Sequence, residues 1–240
     1  MTTHLPSISR RTALHGAAAG LTGALLAAGT AGCTPEGTTT VPSPDTSPNP
    51  TAADSATGGT GPGQKDRRVL LAYFSRAGEN YYYGGRTNLD IGNTEVLAGM
   101  ISHAISCDVH RIEAADPYPD GYDATVARNV REQNIEARPA IANPLPRIEQ
   151  YDTVLLASGI WNVRAPMIMT TFAESYDFTG KTIHPVTTHA MSGLGNTERD
   201  YARSCRGAAM GQGLAVKGEE VRDAGPDIQS WLQVTRLPSN

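Results

Sequence analysis

Five apolar runs alternate with amphipathic segments from residue 69 onward. The runs occupy 69–74, 109–114, 153–159, 182–188 and, more weakly, 211–216. A short run that is apolar throughout is typical of a strand buried on both faces, and its alternation with helices is typical of a parallel sheet. The remaining segments predict helices at 94–106, 121–138, 165–176, 196–204 and 227–234. Because right-handed crossovers place such helices on both faces, the pattern predicts an α/β sandwich of three layers around a five-stranded parallel sheet.

The first 33 residues have the composition of an export signal. Arg10 and Arg11 precede a stretch of small apolar residues at 16–32, which ends at Cys33. This stretch is too short and too rich in alanine and glycine to predict a membrane-spanning helix. The paired arginines resemble a twin-arginine signal, and residues 30–33 resemble a bacterial lipobox, which predicts lipidation of Cys33. A soluble secreted protein in which Cys33 has no special role is the alternative.

Residues 34–66 predict a tether between the signal and a folded domain. The segment consists largely of Thr, Pro, Ser, Gly and Ala, and it has no aromatic residue and no Leu, Ile or Met. Such a segment buries too little apolar surface to fold. We therefore expect an export signal at 1–33, a disordered linker at 34–66 and one folded domain at 67–240. This organisation predicts a protein on the cell surface or the periplasmic side of the cytoplasmic membrane, anchored at Cys33.

Net charge argues against a nucleic-acid partner. The chain has 20 basic and 24 acidic residues, which gives a net charge of −4. The two signs are interspersed, and no basic stripe is interleaved with aromatic residues. We therefore expect no nucleic-acid binding, and membrane contact only through the lipid anchor. The sequence leaves the oligomeric state open.

A phosphate site is predicted where the first strand meets the first helix. Ser75 follows the strand, and Gly92, Asn93 and Thr94 open the helix. The first turn of a helix leaves backbone N–H groups unpaired and carries partial positive charge, which favours a phosphate. Gly92 would let a ligand approach the backbone, and Asn93 and Thr94 would add side-chain donors. An ordinary helix N-terminus without a ligand is the alternative.

Two common nucleotide motifs do not fit the chain. The glycines at 58–63 precede Lys65 but lack the Gly-Lys-Ser/Thr ending of the Walker motif. Residues 193–198 contain two of the three dinucleotide glycines and lie too late in the chain. A loop with hydroxyls but no lysine suits a phosphate monoester such as that of FMN. The ligand crevice of a parallel sheet lies at the carboxyl ends of its strands, so the loops of interest are 75–93, 159–165 and 188–195.

These loops and their neighbours resemble the flavodoxin-like family, in its short FMN-binding branch. The resemblance rests on motifs at 73–76, 92–95, 116–123, 136–141, 151–161 and 173–200. It implies the strand order 2-1-3-4-5 and FMN as the cofactor. It also implies that Ser75, Arg76, Asn93 and Thr94 hold the phosphate, and that Trp161 stacks on the flavin ring. The full implied set is Ser75, Arg76, Gly92, Asn93, Thr94, Gly159, Ile160, Trp161, Asn162, Arg164, Thr188, His189, Ser192, Gly193 and Gly195.

The chain departs from the family pattern in two places. Residues 77–91 form an insert between the two phosphate-binding elements, and its three tyrosines at 81–83 could cover the flavin or cap the sheet. Arg164 stands in a segment where many relatives have a second tryptophan. A guanidinium near the flavin N1 edge would favour the anionic reduced form and raise the reduction potential. A surface arginine at a helix start is the alternative.

No catalytic constellation is visible, so the chemistry should belong to the cofactor. His184 and His189 have no carboxylate or cysteine at ligand spacing, and we expect no metal. The sequence thus predicts an exported FMN protein that transfers electrons or hydride to a small acceptor such as a quinone, or to a redox partner protein. One alternative is an NAD(P)H-dependent FMN or quinone reductase. The other is a flavin-free surface lipoprotein module without catalysis.

Overall fold

The computed structural model describes residues 68–238, so the predicted export signal, the linker and Cys33 lie outside the described residues. In chain order the elements are β1 (Val69–Tyr73), β2 (Gly78–Tyr82), β3 (Gly85–Leu89), α1 (Asn93–Ala104), β4 (Asp108–Arg111), α2 (Tyr122–Asn134), β5 (Thr153–Gly159), α3 (Met167–Glu174), β6 (Thr182–His189), α4 (Thr197–Ser204), β7 (Ala209–Met210), β8 (Leu214–Lys217), a 3₁₀ helix (Gly218–Asp223) and α5 (Gly225–Thr235). None of the helices within 68–238 has the length and apolar character needed to cross a membrane.

The main sheet is parallel and has the predicted order. Its strands run β4-β1-β5-β6, and both β7 and β8 pair with β6 at the far edge. The fifth strand position is therefore shared by two short strands. The predicted α/β fold with the order 2-1-3-4-5 is confirmed, with this one refinement.

A proline in β6 accounts for the division of the edge strand. The Gly211 amide donates to the Ile183 carbonyl at 2.8 Å, so Ile183 faces the edge strand. The backbone N–H and C=O groups of residues two apart in a strand point to the same neighbouring strand. The backbone of Pro185 therefore also faces the edge strand, but proline has no N–H to donate. The edge strand breaks between β7 and β8, opposite this gap. His184 fills the space beside the break, where a Cβ on Gly211 would lie 2.3 Å from its ring.

Alternate residues of the strands contribute their side chains to two hydrophobic cores, one on each face of the sheet. Leu71 packs with α1 and α5, whereas Leu70 packs with α3 and α4. This alternation is the period of two expected for a strand buried on both sides. The helices cover both faces and complete the three-layer sandwich, and the carboxyl ends of the strands remain open at one edge.

The structure differs from the predicted elements in three ways. Residues 77–91 contain a β-hairpin, β2–β3, whose two-residue turn has Tyr83 at φ 45° and Gly84 at φ 84°. The second helix ends at Asn134 rather than at 138, because the chain turns through Glu136 in a left-handed conformation, φ 47°. The second strand of the predicted parallel sheet, β4, ends at Arg111 rather than at 114. Beyond it, Ala114 forms an isolated β-bridge with Ile141.

Candidate ligand-binding site

A cavity of about 610 Å³ opens at the carboxyl ends of β1, β5 and β6. Phe74 follows β1, Gly159 ends β5, and Thr188 and His189 end β6. This is where a parallel sheet places its ligand crevice, and the volume falls within the range of small-molecule sites. The start of α1 forms one end of the cavity, and α2 forms one side.

Most of the predicted site residues line this cavity. The lining includes Ser75, Arg76, Asn93, Thr94, Gly159, Ile160, Trp161, Asn162, Thr188, His189 and Ser192. Gly92, Arg164, Gly193 and Gly195 are not part of it. The lining residues that sequence reasoning did not assign to the site are Phe74, Asn80, Tyr122, Thr125, Val126, Asn129, Val130, Ala190, Met191, Gly218 and Glu219. Tyr81, which we considered only as part of the insert, also contributes.

Hydroxyl and amide groups gather at the α1 end. The Ser75 hydroxyl accepts a hydrogen bond from the Glu95 amide at 3.1 Å, and the Gly92 carbonyl accepts from the same amide at 3.0 Å. Asn93 and Thr94 are the first two residues of α1, and their amides have no intrahelical acceptor. They are therefore the backbone donors available to an anion at this end.

A hydroxyl pair joins the helix start to the sheet. Thr94 Oγ1 and Thr188 Oγ1 lie 2.7 Å apart, and both side chains are buried. Each hydroxyl keeps further hydrogen-bonding capacity, because it combines one donor with two acceptor positions. The pair fixes the separation between the α1 end and the β6 wall.

Gly92 shapes the loop rather than lining the cavity. A Cβ at this position would lie 2.3 Å from Ser75 Oγ and 2.4 Å from the Arg76 carbonyl oxygen. Its φ of −66° is open to any residue, so close packing and not backbone conformation requires glycine here. The space expected for a ligand beside Gly92 is occupied by the loop that follows β1.

Arg76 uses its guanidinium to hold neighbouring backbone. It donates to the Asp120 carbonyl at 2.8 Å, to the Pro119 carbonyl at 3.2 Å and to the Glu79 carbonyl. Burial lowers the pKa of this side chain, and the nearby Asp120 and Glu79 oppose that shift. Arg76 therefore lines the cavity while its charge secures the hairpin and the loop before α2.

Trp161 is fixed in the cavity wall beside the end of β5. Its ring meets Phe74 and Tyr118 edge-on, with centroids 5.8 and 5.0 Å apart. Its amide donates to the Arg164 carbonyl at 2.8 Å across a turn in which Asn162 has φ 67°. These contacts hold a half-buried aromatic side chain beside Gly159 and Ile160, as a stacking role would require.

Helix α2 supplies an apolar wall that sequence reasoning missed. Tyr122, Val126 and Val130 recur every four residues, and the two valines remain 41% and 47% exposed. Residues with this spacing share one face of a helix. The repeat stands out in a helix that is otherwise polar, and it could have indicated a binding wall.

His189 lines the cavity and has one unpaired ring nitrogen. Its Nδ1 is buried and has no hydrogen-bond partner among residues 68–238. Burial lowers the pKa of the ring, opposed by Glu219 and Glu220 and assisted by Lys217. An unpaired buried polar atom is unfavourable, so this nitrogen is a local cost at the end of β6.

The remaining predicted residues have structural roles outside the lining. Arg164 Nε donates to Asp200 Oδ2 at 2.8 Å and ties the Trp161 turn to α4. The structure thus gives Arg164 an ion pair rather than the predicted place beside a flavin edge. Gly193 and Gly195 have φ of 56° and 55°, and a Cβ on Gly195 would lie 2.5 Å from the Val163 carbonyl oxygen. Within 68–238 no group of three or more His, Cys, Asp or Glu side chains is placed to hold a metal.

Comparisons with known proteins agree with this fold. A family model described as Flavodoxin matches residues 68–235. A proposed flavoprotein from Bacteroides eggerthii is 26% identical, with 71% of this chain and 98% of that one covered and a TM-score of 0.55. A second from Bacteroides uniformis is 27% identical, with 69% and 99% covered and a TM-score of 0.54.

More distant matches add no argument about a ligand. A flavoprotein from Lactobacillus acidophilus, solved in complex with FMN, is 13% identical, with 69% of this chain and 98% of that one covered and a TM-score of 0.48. A comparison with curated proteins found no significant match.

Proposed function

The chain belongs to the flavodoxin family, and from that membership and its cavity we propose that it binds FMN and transfers electrons or hydride to a small acceptor such as a quinone. One observation carries the proposal: a single cavity joins a hydroxyl-lined helix start, at Ser75, Asn93 and Thr94, to an aromatic side chain, Trp161. A phosphate suits the first end and a flat ring suits the second.

The residues present fit FMN in two further respects. The α1 end offers the free amides of Asn93 and Thr94 to the phosphate without a lysine, as suits a monoester bound by neutral donors. The ring of His189 lines the cavity from the end of β6, where it would meet a polar edge of the flavin ring.

The protein would bind FMN and shield its ring, and the bound FMN would supply the redox chemistry. When bound, FMN provides a ring that takes up and releases electrons. Ser75 and the start of α1 would orient the phosphate, Trp161 would cover one side of the ring, and His189 would meet its polar edge. No side chain is required to form a covalent bond.

The proposed class of electron acceptor rests on the apolar side chains that line the cavity. Val126 and Val130 line the α2 side, and Met191, which is 83% exposed, lines the cavity from the loop after β6. Exposed apolar side chains around a cavity favour a flat apolar molecule over a charged one. A quinone fits this description, and it takes up two electrons and two protons to become a hydroquinone.

A redox experiment tests this function. We expect the FMN-loaded protein, photoreduced anaerobically with EDTA as the electron donor, to be reoxidised when it is mixed with a soluble benzoquinone. The oxidised FMN-loaded protein should remain oxidised when it is mixed with NADH or NADPH alone. Flavin absorbance reports both reactions. Rapid reduction by either nicotinamide nucleotide would instead identify a reductase, and a reduced protein that ignores quinones would contradict the small-acceptor assignment and favour a protein partner.

We also propose that the protein is exported and anchored by a lipid at Cys33. The support is the paired Arg10 and Arg11, the small apolar stretch and the lipobox-like residues 30–33. We expect the full chain in the membrane fraction and the Cys33→Ser variant in the soluble exported fraction. Equal distribution of the two proteins after cell fractionation would contradict the anchor.

A further inference from the structure

The β2–β3 hairpin begins and ends at the two elements of the proposed phosphate end. It leaves the chain just after Arg76 and returns just before Gly92. Its first strand contributes Asn80 and Tyr81 to the cavity lining. The hairpin is therefore a wall of the site and not a remote decoration of the sheet.

The hairpin is held against the start of α2 both at its base, by Glu79, and beside its tip, by Arg86. The Glu79 amide donates to the Asp120 carbonyl at 2.8 Å, and the Tyr122 amide donates to Glu79 Oε2 at 2.9 Å. Arg86 pairs with Asp123 at 2.8 Å and lies 4.3 Å above the Tyr122 ring. With the Arg76 bonds, these contacts fix the direction in which the hairpin projects.

The tip of the hairpin is tied to the opposite side of the cavity. The Tyr83 amide donates to Glu219 Oε1 at 3.2 Å, and Glu219 itself lines the cavity from the 3₁₀ helix. Tyr83 has φ 45°, a conformation that non-glycine residues adopt mainly where other contacts hold them. The Glu219 bond is such a contact.

The 3₁₀ helix in turn packs on the start of α1. A Cβ on Gly218 would lie 2.5 Å from Asn93 Nδ2, so the two segments are in close contact. Four segments therefore form a continuous ring at the proposed phosphate end of the cavity. They are the loop after β1, the hairpin, the 3₁₀ helix and the start of α1. Among residues 68–238, the Tyr83–Glu219 bond is the only hydrogen bond recorded between the hairpin tip and the 3₁₀ helix.

We propose that this bond closes the phosphate end, so that the site accepts FMN, excludes FAD and releases FMN slowly. The inference rests on the proposed flavin-binding function. In FMN the phosphate is terminal and needs no exit. In FAD that phosphate is joined to an adenosine monophosphate, which would have to pass between the hairpin tip and the 3₁₀ helix. Tyr83 and Glu219 thereby become specificity-determining residues.

Dissociation constants for FMN and FAD test the closure. We expect the wild-type protein to bind FMN at least about 100-fold more tightly than FAD, since closing the ring removes the path for the second phosphate. In Glu219→Ala, we expect the preference to fall about 10-fold or more and FMN dissociation to accelerate about 10-fold. Titrations by flavin fluorescence and stopped-flow release measure both quantities.

Two control variants separate the bond from general effects. Glu220→Ala removes the adjacent carboxylate, which pairs with Lys217 and does not line the cavity. Glu219→Gln keeps an oxygen that accepts from the Tyr83 amide. We expect both to retain the wild-type preference within about threefold, because neither removes the link between the tip and the 3₁₀ helix.

Three results would overturn the inference. Wild-type affinity for FAD within about threefold of that for FMN would contradict the closed end without the need for any variant. Equal changes in Glu219→Ala and Glu220→Ala would show that the Tyr83 bond is not responsible. Binding of neither FMN nor FAD would instead remove the proposed function on which the inference rests, so the two failures are distinguishable.

Discussion

Gly92→Ala is expected to weaken FMN binding by about 100-fold or more, or to abolish it, because the added methyl group displaces the loop that positions Ser75. The methyl carbon would lie 2.3 Å from Ser75 Oγ and 2.4 Å from the Arg76 carbonyl oxygen. The second contact is with backbone, so a rotamer change cannot relieve it. We also expect a loss of about 1–3 kcal/mol in the free energy of unfolding, as for other overpacked sites.

Gly99→Ala is the matched control for this change. Gly99 lies inside α1, and a Cβ there would have no heavy atom within 4 Å. Alanine is favoured over glycine in a helix by about 1 kcal/mol, so this variant should be more stable than wild type and should bind FMN equally well. Titration and urea unfolding of both variants compare the same substitution in one helix. An intact FMN affinity in Gly92→Ala would show that the loop tolerates displacement.

Arg76→Met is expected to have the second-largest effect, with a loss of about 2–4 kcal/mol in the free energy of unfolding. The guanidinium donates to the carbonyls of Glu79, Pro119 and Asp120. Methionine preserves much of the apolar stem but removes three hydrogen bonds, although the Asp120 and Pro119 carbonyls keep the Glu79 amide and the Thr125 hydroxyl as donors. Because the attachment of the hairpin to the loop before α2 is then weakened, FMN affinity should also fall, by about 10-fold or more.

Arg86→Met provides the comparison. Arg86 forms an ion pair with Asp123, and both side chains are well exposed, so water screens the pair. Exposed ion pairs contribute about 0–1 kcal/mol, and we expect a loss within that range. Urea unfolding followed by circular dichroism measures both variants. Similar losses for Arg76→Met and Arg86→Met would contradict the anchoring role assigned to Arg76.

The sheet and its order followed from local patterns in the sequence. The run at 69–74 is apolar at every position and the run at 153–159 is apolar from 154 to 157, and burial on both faces leaves few alternatives to a parallel strand. The hairpin was missed because residues 78–89 are polar or glycine, apart from the tyrosines and Leu89, and their pairing depends on a turn with a non-glycine residue in a left-handed conformation. The division of the edge strand required knowing which way Pro185 points.

The candidate site was predicted in outline, and its detail depends on contacts distant in sequence. The predicted loops at 75–93, 159–165 and 188–195 all contribute residues to one cavity. The pairing of Arg164 with Asp200 could not be predicted from the sequence, because the two residues lie 36 positions apart. Glu219 could not be assigned before the fold was known, because its bond to Tyr83 spans 136 residues.

The central claim is that the cavity at the carboxyl ends of β1, β5 and β6 binds one FMN. The most direct test is calorimetric titration of the purified, flavin-stripped full chain with FMN. We expect a single transition at one FMN per chain, with a dissociation constant of about 1 μM or below, as an enclosed site with phosphate and ring contacts should give. Absence of saturable binding, with the protein shown to be folded by circular dichroism, would contradict the account.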